Sequence, residues 1–129
     1  MATVETIMTG DLLRVEAGAT LGDAARDMDA RRVGAALVFD GDRLVGIFTE
    51  RDVLRAVARG GLEAGTVTEW MTHHPETIEA SDSIGHAAAM MIHGGFRHLP
   101  VADGDQVVGI ISIRDLMRVV LDDEAPRGA

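Results

Sequence analysis

Two short stretches of the sequence pair a hydroxyl with a carboxylate three residues later. They are Thr49–Asp52 and Ser112–Asp115, and each follows an apolar run that contains a glycine. At the start of a helix, exposed backbone N–H groups and the positive end of the helix dipole attract a phosphate. An ionised carboxylate only accepts hydrogen bonds, so it suits the two donor hydroxyls of a ribose. The pattern therefore predicts two sugar-phosphate sites.

A purely structural interpretation of the same pattern exists. Ser or Thr followed three residues later by an acidic residue is close to a capping box, which satisfies free N–H groups at a helix start. A lone instance would favour that interpretation, but two instances, each after a glycine-containing strand, favour ribose binding. Gly46 and Gly109 within those strands indicate close approach of a ligand or tight packing between sheets, and these two alternatives stay open.

Both stretches belong to a duplication that covers most of the chain. Met8-Thr9 recurs as Met71-Thr72, 63 positions later, and roughly 20 of about 54 positions aligned at that offset are identical. Self-similarity of this extent indicates two copies of one supersecondary unit. We expect a first motif over residues 1–58, a connector over 59–66, a second motif over 67–121 and a disordered tail over 122–129.

Each copy has the pattern strand, helix, strand, strand, helix. Apolar residues at helical spacing begin at Leu21 and Ile84, directly after the candidate N-caps Thr20 and Ser83. Two apolar runs separated by an Asp-Gly-Asp turn then predict a hairpin, after which helical spacing resumes. The elements predict a mixed α/β (α+β) fold of two tandem β-α-β-β-α motifs. We expect them to pack sheet to sheet about a pseudo-two-fold axis and so to form paired clefts.

The closing signature of each copy resembles that of the CBS (cystathionine-β-synthase-type) motif. It occupies Val45–Asp52 and Val108–Asp115, and the segment Phe96–Val101 is also similar to stand-alone CBS-pair proteins. The likeness runs from Val4 to Leu121. It implies a Bateman-type module with two clefts for adenosine-containing ligands, such as AMP, ADP, ATP, S-adenosylmethionine or NAD-type molecules. It also implies that such modules pair again into a flat disc of four motifs.

The resemblance further implies which residues bind. Basic residues at the positions of Arg97 and His98 face ligand phosphates in the family, whereas the first copy has Gly34 and Ala35 there. A guanidinium binds phosphate bidentately, and a histidine adds charge only when protonated. We therefore expect the second cleft to bind nucleotide more strongly and the first to be weak or vacant. Base and backbone contacts are assigned to six positions: Val15, Val33, Gly34, Ala35, Ile78 and Phe96.

Two further arginines have a weaker assignment. Arg51 and Arg114 directly precede the two aspartates and are candidates for the phosphate. For this pair the better interpretation is a surface ion pair with one of the 21 acidic residues. For Arg97 and His98 we favour the ligand.

Composition excludes several other functions. A formal charge of −9 disfavours nucleic acid and anionic membranes as partners. The absence of cysteine removes disulfides and thiol chemistry, and no apolar stretch approaches the length of a membrane span, so we expect a cytoplasmic protein. No nucleophile–base pair or nucleotide fingerprint is present, so we expect no enzyme and no required cofactor. The five histidines all fall in the second copy without metal-ligand spacing, and we expect no metal.

The sequence thus predicts a regulatory module that binds an adenine nucleotide and signals to an unidentified regulated protein. A homodimer is also expected, because apolar residues replace polar or small ones on the second-copy helices, at Met90, Ile92, Val119 and Leu121. The alternative is a ligand-free dimerisation or adaptor protein that kept the fold.

Overall fold

The chain folds into helices and two sheets. A computed structural model describes residues 2–61 and 65–124, and the side chains of residues 123 and 124 lie outside that description. The helices are α1 (Val4–Ile7), α2 (Leu21–Arg31), α3 (Glu50–Ala58), α4 (Val67–Trp70), α5 (Ile84–Gly94) and α6 (Ile113–Glu124). The strands are β1 (Arg14–Glu16), β2 (Ala35–Asp40), β3 (Arg43–Thr49), β4 (Thr72–His73), β5 (Ile78–Glu79), β6 (His98–Asp103) and β7 (Gln106–Ser112).

The predicted mixed α+β class is confirmed. One sheet has the order β1-β2-β3-β4 and the other has the order β5-β6-β7. The short strands β1 and β5 run parallel to β2 and β6. The pairs β2–β3 and β6–β7 form antiparallel hairpins, as predicted. Gly41 and Gly104 in the two hairpin turns both have a φ of +62°, which glycine adopts without steric cost. The packing of the two motifs sheet to sheet stays a prediction.

Each compact unit combines most of one repeat with the opening segment of the other. The first-copy unit comprises Leu12–Pro75, and the second-copy unit comprises Met1–Asp11 with Glu76–Ala129. In the first, the N–H of Val67 at the start of α4 donates to the carbonyl of Ala19 at 2.9 Å. In the second, the N–H of Val4 donates to the carbonyl of Asp82 at 2.8 Å. The opening segment of each sequence repeat therefore belongs to the compact unit that holds most of the other repeat.

Each unit has its own apolar core. In the first-copy unit, α2 buries Leu21, Ala24 and Met28 together with residues of β2 and β3. In the second-copy unit, α5 buries Ala87 and Met91 in the corresponding cluster. The N-caps are confirmed, because Thr20 and Ser83 each accept the N–H of the residue three positions on, at 3.1 Å. These cores fix the ends of β3 and β7, from which the closing helices start.

The described part of the chain can be compared with two predicted boundaries, the end of the second motif and the connector between the motifs. Helix α6 continues to Glu124, three residues past the predicted end near Leu121. The first three residues of the predicted tail are therefore helical, and residues 125–129 lie outside the described part of the chain. Residues 62–64 of the predicted connector also lie outside it. Among its described glycines, Gly60 and Gly65 both have positive φ.

Candidate functional site at two strand-to-helix junctions

The second junction, Ser112–Asp115, lies where β7 ends and α6 begins. The backbone N–H and the hydroxyl of Ser112 donate to Asp115 Oδ2 at 2.8 and 3.0 Å. In return, the N–H of Asp115 donates to Ser112 Oγ at 3.1 Å. The other carboxylate oxygen, Oδ1, lies 4.0 Å from an Arg118 nitrogen, which is too long for a hydrogen bond. Oδ1 therefore keeps its capacity to accept.

The first junction, Thr49–Asp52, repeats this geometry between β3 and α3. The backbone N–H and the hydroxyl of Thr49 donate to Asp52 Oδ2 at 2.9 and 3.3 Å. Here Oδ1 accepts a hydrogen bond from Arg55 at 3.2 Å. The side chain of Asp52 is 8% exposed against 13% for Asp115, so the first carboxylate is both more buried and more fully bonded. Less of its capacity remains for a ligand.

Both junctions thus have capping-box geometry, which was the structural alternative for this pattern. The capping bonds use Oδ2 of each aspartate and the hydroxyl beside it. A carboxylate has about four lone-pair sites, so capping does not exhaust either group. Ribose binding by these aspartates stays a prediction, and it concerns Oδ1 above all.

The structure brings the predicted basic residues beside the second junction. His98 lies directly opposite Ser112 in the β6–β7 ladder, and the carbonyl of Arg97 accepts the N–H of Ile113 at 2.8 Å. In the first-copy unit, Ala35 lies opposite Thr49, and the carbonyl of Gly34 accepts the N–H of Glu50 at 3.0 Å. The two junctions therefore have the same backbone and different side chains.

Three predicted phosphate-binding arginines are exposed: Arg51, Arg97 and Arg114. Among the side chains that the structure describes, none forms an ion pair with any of them. The surface ion pairs favoured for Arg51 and Arg114 are therefore absent from the described residues. His98 is half-buried at the start of β6.

The positions assigned to base and backbone contacts divide into two groups. Val15 and Ile78 are buried in the cores of their units, which leaves their backbone rather than their side chains for a ligand. Ala35 is also buried, whereas Val33, Gly34 and Phe96 are half-buried beside the junctions. The ring of Phe96 covers the α-carbon of Gly94, because a Cβ placed on that glycine would lie 2.2 Å from the ring. Their contacts to a ligand stay predictions.

The strand glycines answer a question that the sequence left open. A Cβ on Gly46 would lie 2.2 Å from Met71 Sδ, and a Cβ on Gly109 would lie 2.4 Å from Met8 Sδ. Close packing, rather than approach of a ligand, therefore accounts for both glycines. The packing partner of Gly46 is a methionine from the segment after α4, and that of Gly109 is a methionine from the segment after α1. The signal for this contact was the recurrence of Met8-Thr9 as Met71-Thr72 at the offset of the repeat.

The structure adds Glu50 as a functional candidate that the sequence analysis did not name. A Cβ on Gly34 would lie 3.3 Å from Glu50 Cδ, so the carboxylate lies over this glycine. The equivalent position in the second copy is Ile113. Comparing the two copies position by position around Gly34 and Arg97 would have found it.

The described residues contain neither a candidate metal site nor a helix that could span a membrane. Within residues 2–61 and 65–124, no three His, Asp or Glu side chains are grouped so that they could hold a metal ion. His73 and His74 belong to the first-copy unit, and the other three histidines belong to the second-copy unit. No helix in the same part of the chain is both long and apolar enough to cross a membrane.

Comparison with known sequences identifies the repeat. The sequence model of the CBS domain matches residues 4–59 and 67–122. The chain is 35% identical over 125 residues to a 17.7 kDa protein of Acidianus ambivalens, covering 95% of this chain and 76% of that protein. It is 35% identical over 114 residues to the CBS domain-containing protein CBSCBSPB2 of Arabidopsis thaliana, covering 86% of this chain but only 21% of that protein.

Solved structures agree with the sequence match. A protein with CBS domains from Burkholderia ambifaria superposes with a TM-score of 0.90 at 34% identity, over 99% of this chain and all of that one. CBSX2 in complex with AMP superposes at 0.82 with 26% identity, over 97% and 100% of the two chains. The CBS domain pair of protein MJ0100, in complex with 5′-methylthioadenosine and S-adenosyl-L-methionine, gives 0.84 at 25% identity, over 92% and 99%. The chain therefore belongs to the CBS domain family and carries two CBS domains in tandem.

Proposed function

We propose that this protein is a regulatory module that binds an adenine nucleotide at its second junction and carries out no catalysis. The observation that carries the proposal is the placement of Arg97 and His98 against the Ser112–Asp115 turn. His98 is the ladder partner of Ser112, and the backbone of Arg97 bonds to the first residue of α6. Two relatives in the family were solved with adenosyl ligands, AMP in one and 5′-methylthioadenosine with S-adenosyl-L-methionine in the other.

The chemistry of the second junction fits a nucleotide in two parts. Among the described residues, none donates a hydrogen bond to Asp115 Oδ1, which lies 4.0 Å from Arg118, so this oxygen is available to accept from ribose hydroxyls. Arg97 is exposed and has no carboxylate partner among the described side chains, so its guanidinium is available to a phosphate. The positive end of the α6 dipole adds to the attraction. AMP, ADP and ATP all present these two groups.

Signalling requires a partner, and the exposed faces of the closing helices fit a second copy of the chain. Leu54 and Val57 on α3 are 67% and 52% exposed, and the equivalent Met117 and Val120 on α6 are both 51% exposed. The predicted apolar face included Ile92 and Leu121, which are exposed, but also Met90 and Val119, which are half-buried. Because the exposed pair recurs on both closing helices, the proposed homodimer uses α3 as well as α6. Ligand binding would shift its conformational population and so reach a regulated protein.

The second candidate is a ligand-free dimerisation or adaptor protein. The observation that favours it is the capping-box geometry at both junctions, which gives each hydroxyl and carboxylate a structural role. The exposed apolar pairs on α3 and α6 serve this function equally well. The two candidates differ in whether an adenosyl compound binds.

Thermal unfolding with AMP, ADP, ATP, S-adenosylmethionine and NADH separates the two candidates. A ligand at about 100 times its Kd stabilises the protein by about 2.7 kcal/mol, which raises Tm by several degrees for a chain of this size. Arg97→Ala should weaken AMP binding more than tenfold and adenosine binding much less, because only AMP carries a phosphate. Arg43→Ala removes an exposed arginine in the β2–β3 hairpin and serves as the matched control. No Tm change with any compound at millimolar concentration would support the adaptor.

A further inference from the structure

The two junctions differ by a paired exchange of side chains. The first junction has Gly34 on the entering strand segment and Glu50 as the first residue of α3. The second has Arg97 and Ile113 at the equivalent positions. In both, the backbone of these two residues is joined by the same hydrogen bond, at 3.0 Å in the first junction and 2.8 Å in the second. The exchange therefore replaces a cation by a carboxylate on an unchanged backbone.

The position of the Glu50 carboxylate is what makes this exchange relevant to a ligand. A Cβ on Gly34 would lie 3.3 Å from Glu50 Cδ and 3.4 and 3.5 Å from its two oxygens. The carboxylate thus occupies the space into which a side chain at position 34 would extend. In the second junction, the Arg97 side chain starts from that point. A phosphate placed against the first junction as against the second would meet an anion instead of a guanidinium.

The other charged residues around the first junction do not give it the positive charge of the second. Around the first junction, Arg51 and Arg55 balance the carboxylates of Glu50 and Asp52, which gives a formal charge of zero. Arg55 is also already bound to Asp52 at 3.2 Å. The second junction carries three arginines and one carboxylate, which gives a formal charge of +2 with His98 counted as neutral. These residues are Arg97, Arg114, Arg118 and Asp115.

From this exchange we infer that the first junction selects an adenosyl compound whose 5′ substituent carries no negative charge, while the second selects a 5′-phosphate. Glu50 is the specificity-determining residue of the first junction. It repels a phosphate dianion and tolerates a neutral or cationic 5′ group. The inference rests on the proposed function and extends it to the first junction, because it assumes that both junctions bind the nucleoside part of the ligand.

A titration followed by ¹H–¹⁵N NMR resolves the two junctions in one sample of the intact chain. The probes are AMP, adenosine and 5′-methylthioadenosine, and the reporters are the backbone amides of residues 49–52 and 112–115. At the second junction, AMP should bind about tenfold or more tightly than adenosine. At the first junction, 5′-methylthioadenosine and adenosine should bind at least as tightly as AMP.

Two variants test the role of Glu50 directly. Glu50→Gln should raise AMP affinity at the first junction by about three- to tenfold and leave adenosine affinity unchanged, because one partly solvated charge is removed. Glu76→Gln removes an equal charge from an exposed loop and should change neither affinity. Conversely, Ile113→Glu should reduce AMP binding at the second junction by a similar factor, because it supplies Arg97 with a carboxylate.

The outcomes separate failure of the inference from failure of the proposed function. If AMP is preferred over adenosine to the same degree at both junctions, or if Glu50→Gln leaves that preference unchanged, the inference is wrong and nucleotide binding stands. If adenosine and 5′-methylthioadenosine shift no amide of the first junction while AMP shifts the second, the inference is also wrong. If no probe shifts either set of amides, the proposed function fails and the inference fails with it.

Discussion

Replacing Gly46 by alanine tests the close packing inside the first-copy unit. The added Cβ would lie 2.2 Å from Met71 Sδ, whereas an ordinary contact is about 3.5–4 Å, so the sulfur must retreat by about 1.5 Å. Overpacking of this kind costs about 1–3 kcal/mol, and the gain from replacing a strand glycine by alanine offsets about 0.5–1 kcal/mol. With mid-range values of the two terms, about 2 and about 0.75 kcal/mol, we expect a net loss of about 1 kcal/mol in the free energy of unfolding.

Urea unfolding of a double-mutant cycle measures the contact itself. Met71→Ala removes the thioether, so Gly46→Ala in that background should stabilise the protein by partly filling the vacated space. Gly18→Ala is the matched control, because a Cβ at this exposed turn residue would meet nothing within 4 Å. A cycle of Gly109→Ala with Met8→Ala repeats the test in the second-copy unit. Equal effects of Gly46→Ala with and without Met71 would refute the packing explanation.

Three further results are expected. Thr20→Ala and Ser83→Ala should each lower the free energy of unfolding by about 1 kcal/mol, because each removes the side-chain acceptor of an N-cap. An unchanged midpoint in urea unfolding would contradict the capping role. Hydrogen bonds from Arg26 and from the N-cap residue Thr20 lower the pKa of the Asp23 carboxyl below its usual 3.8. Asp23→Asn should therefore destabilise the protein at neutral pH and progressively less as the pH falls below about 4. A destabilisation that stays constant across that range would be inconsistent with this pKa shift. In the proposed homodimer, Leu54→Lys and Met117→Lys would each place a charge in the apolar interface, so each variant should sediment as a monomer in analytical ultracentrifugation at micromolar concentration. A wild-type monomer would remove the dimer from the proposal.

The features that could be predicted from the sequence are those set by neighbouring residues. The N-caps at Thr20 and Ser83 precede apolar stripes of helical period, and both form as expected. The hairpins follow from Asp-Gly-Asp turns whose central glycine needs positive φ. The backbone of the two junctions follows in the same way from an apolar strand, a hydroxyl and a carboxylate three residues later. Each of these signals lies within about a dozen residues of chain.

The features that could not be predicted depend on partners distant in the sequence. Nothing in the local pattern around Val67 shows that its N–H bonds to Ala19, 48 residues earlier. Glycines at positions 46 and 109 were compatible with a ligand or with packing, and only the position of a methionine sulfur decided between them. The sequence shows the capping pattern at Asp52 and Asp115. It does not show that Oδ1 of Asp52 is bonded to Arg55 while Oδ1 of Asp115 receives no hydrogen bond from a described residue.

The division of the chain into Leu12–Pro75 and a two-part remainder has a consequence for folding. The contiguous unit forms from segments that are close together in the sequence. The two-part unit must bring Met1–Asp11 into contact with segments that lie more than 60 residues later. During synthesis, the opening segment therefore waits until the C-terminal repeat has been made. A fragment cut at Leu12 and Pro75 should fold alone, and one cut at the repeat boundary of residue 58 should lose the methionine that covers Gly46. Division of the gene between the two repeats would thus yield halves that each lack part of their own core.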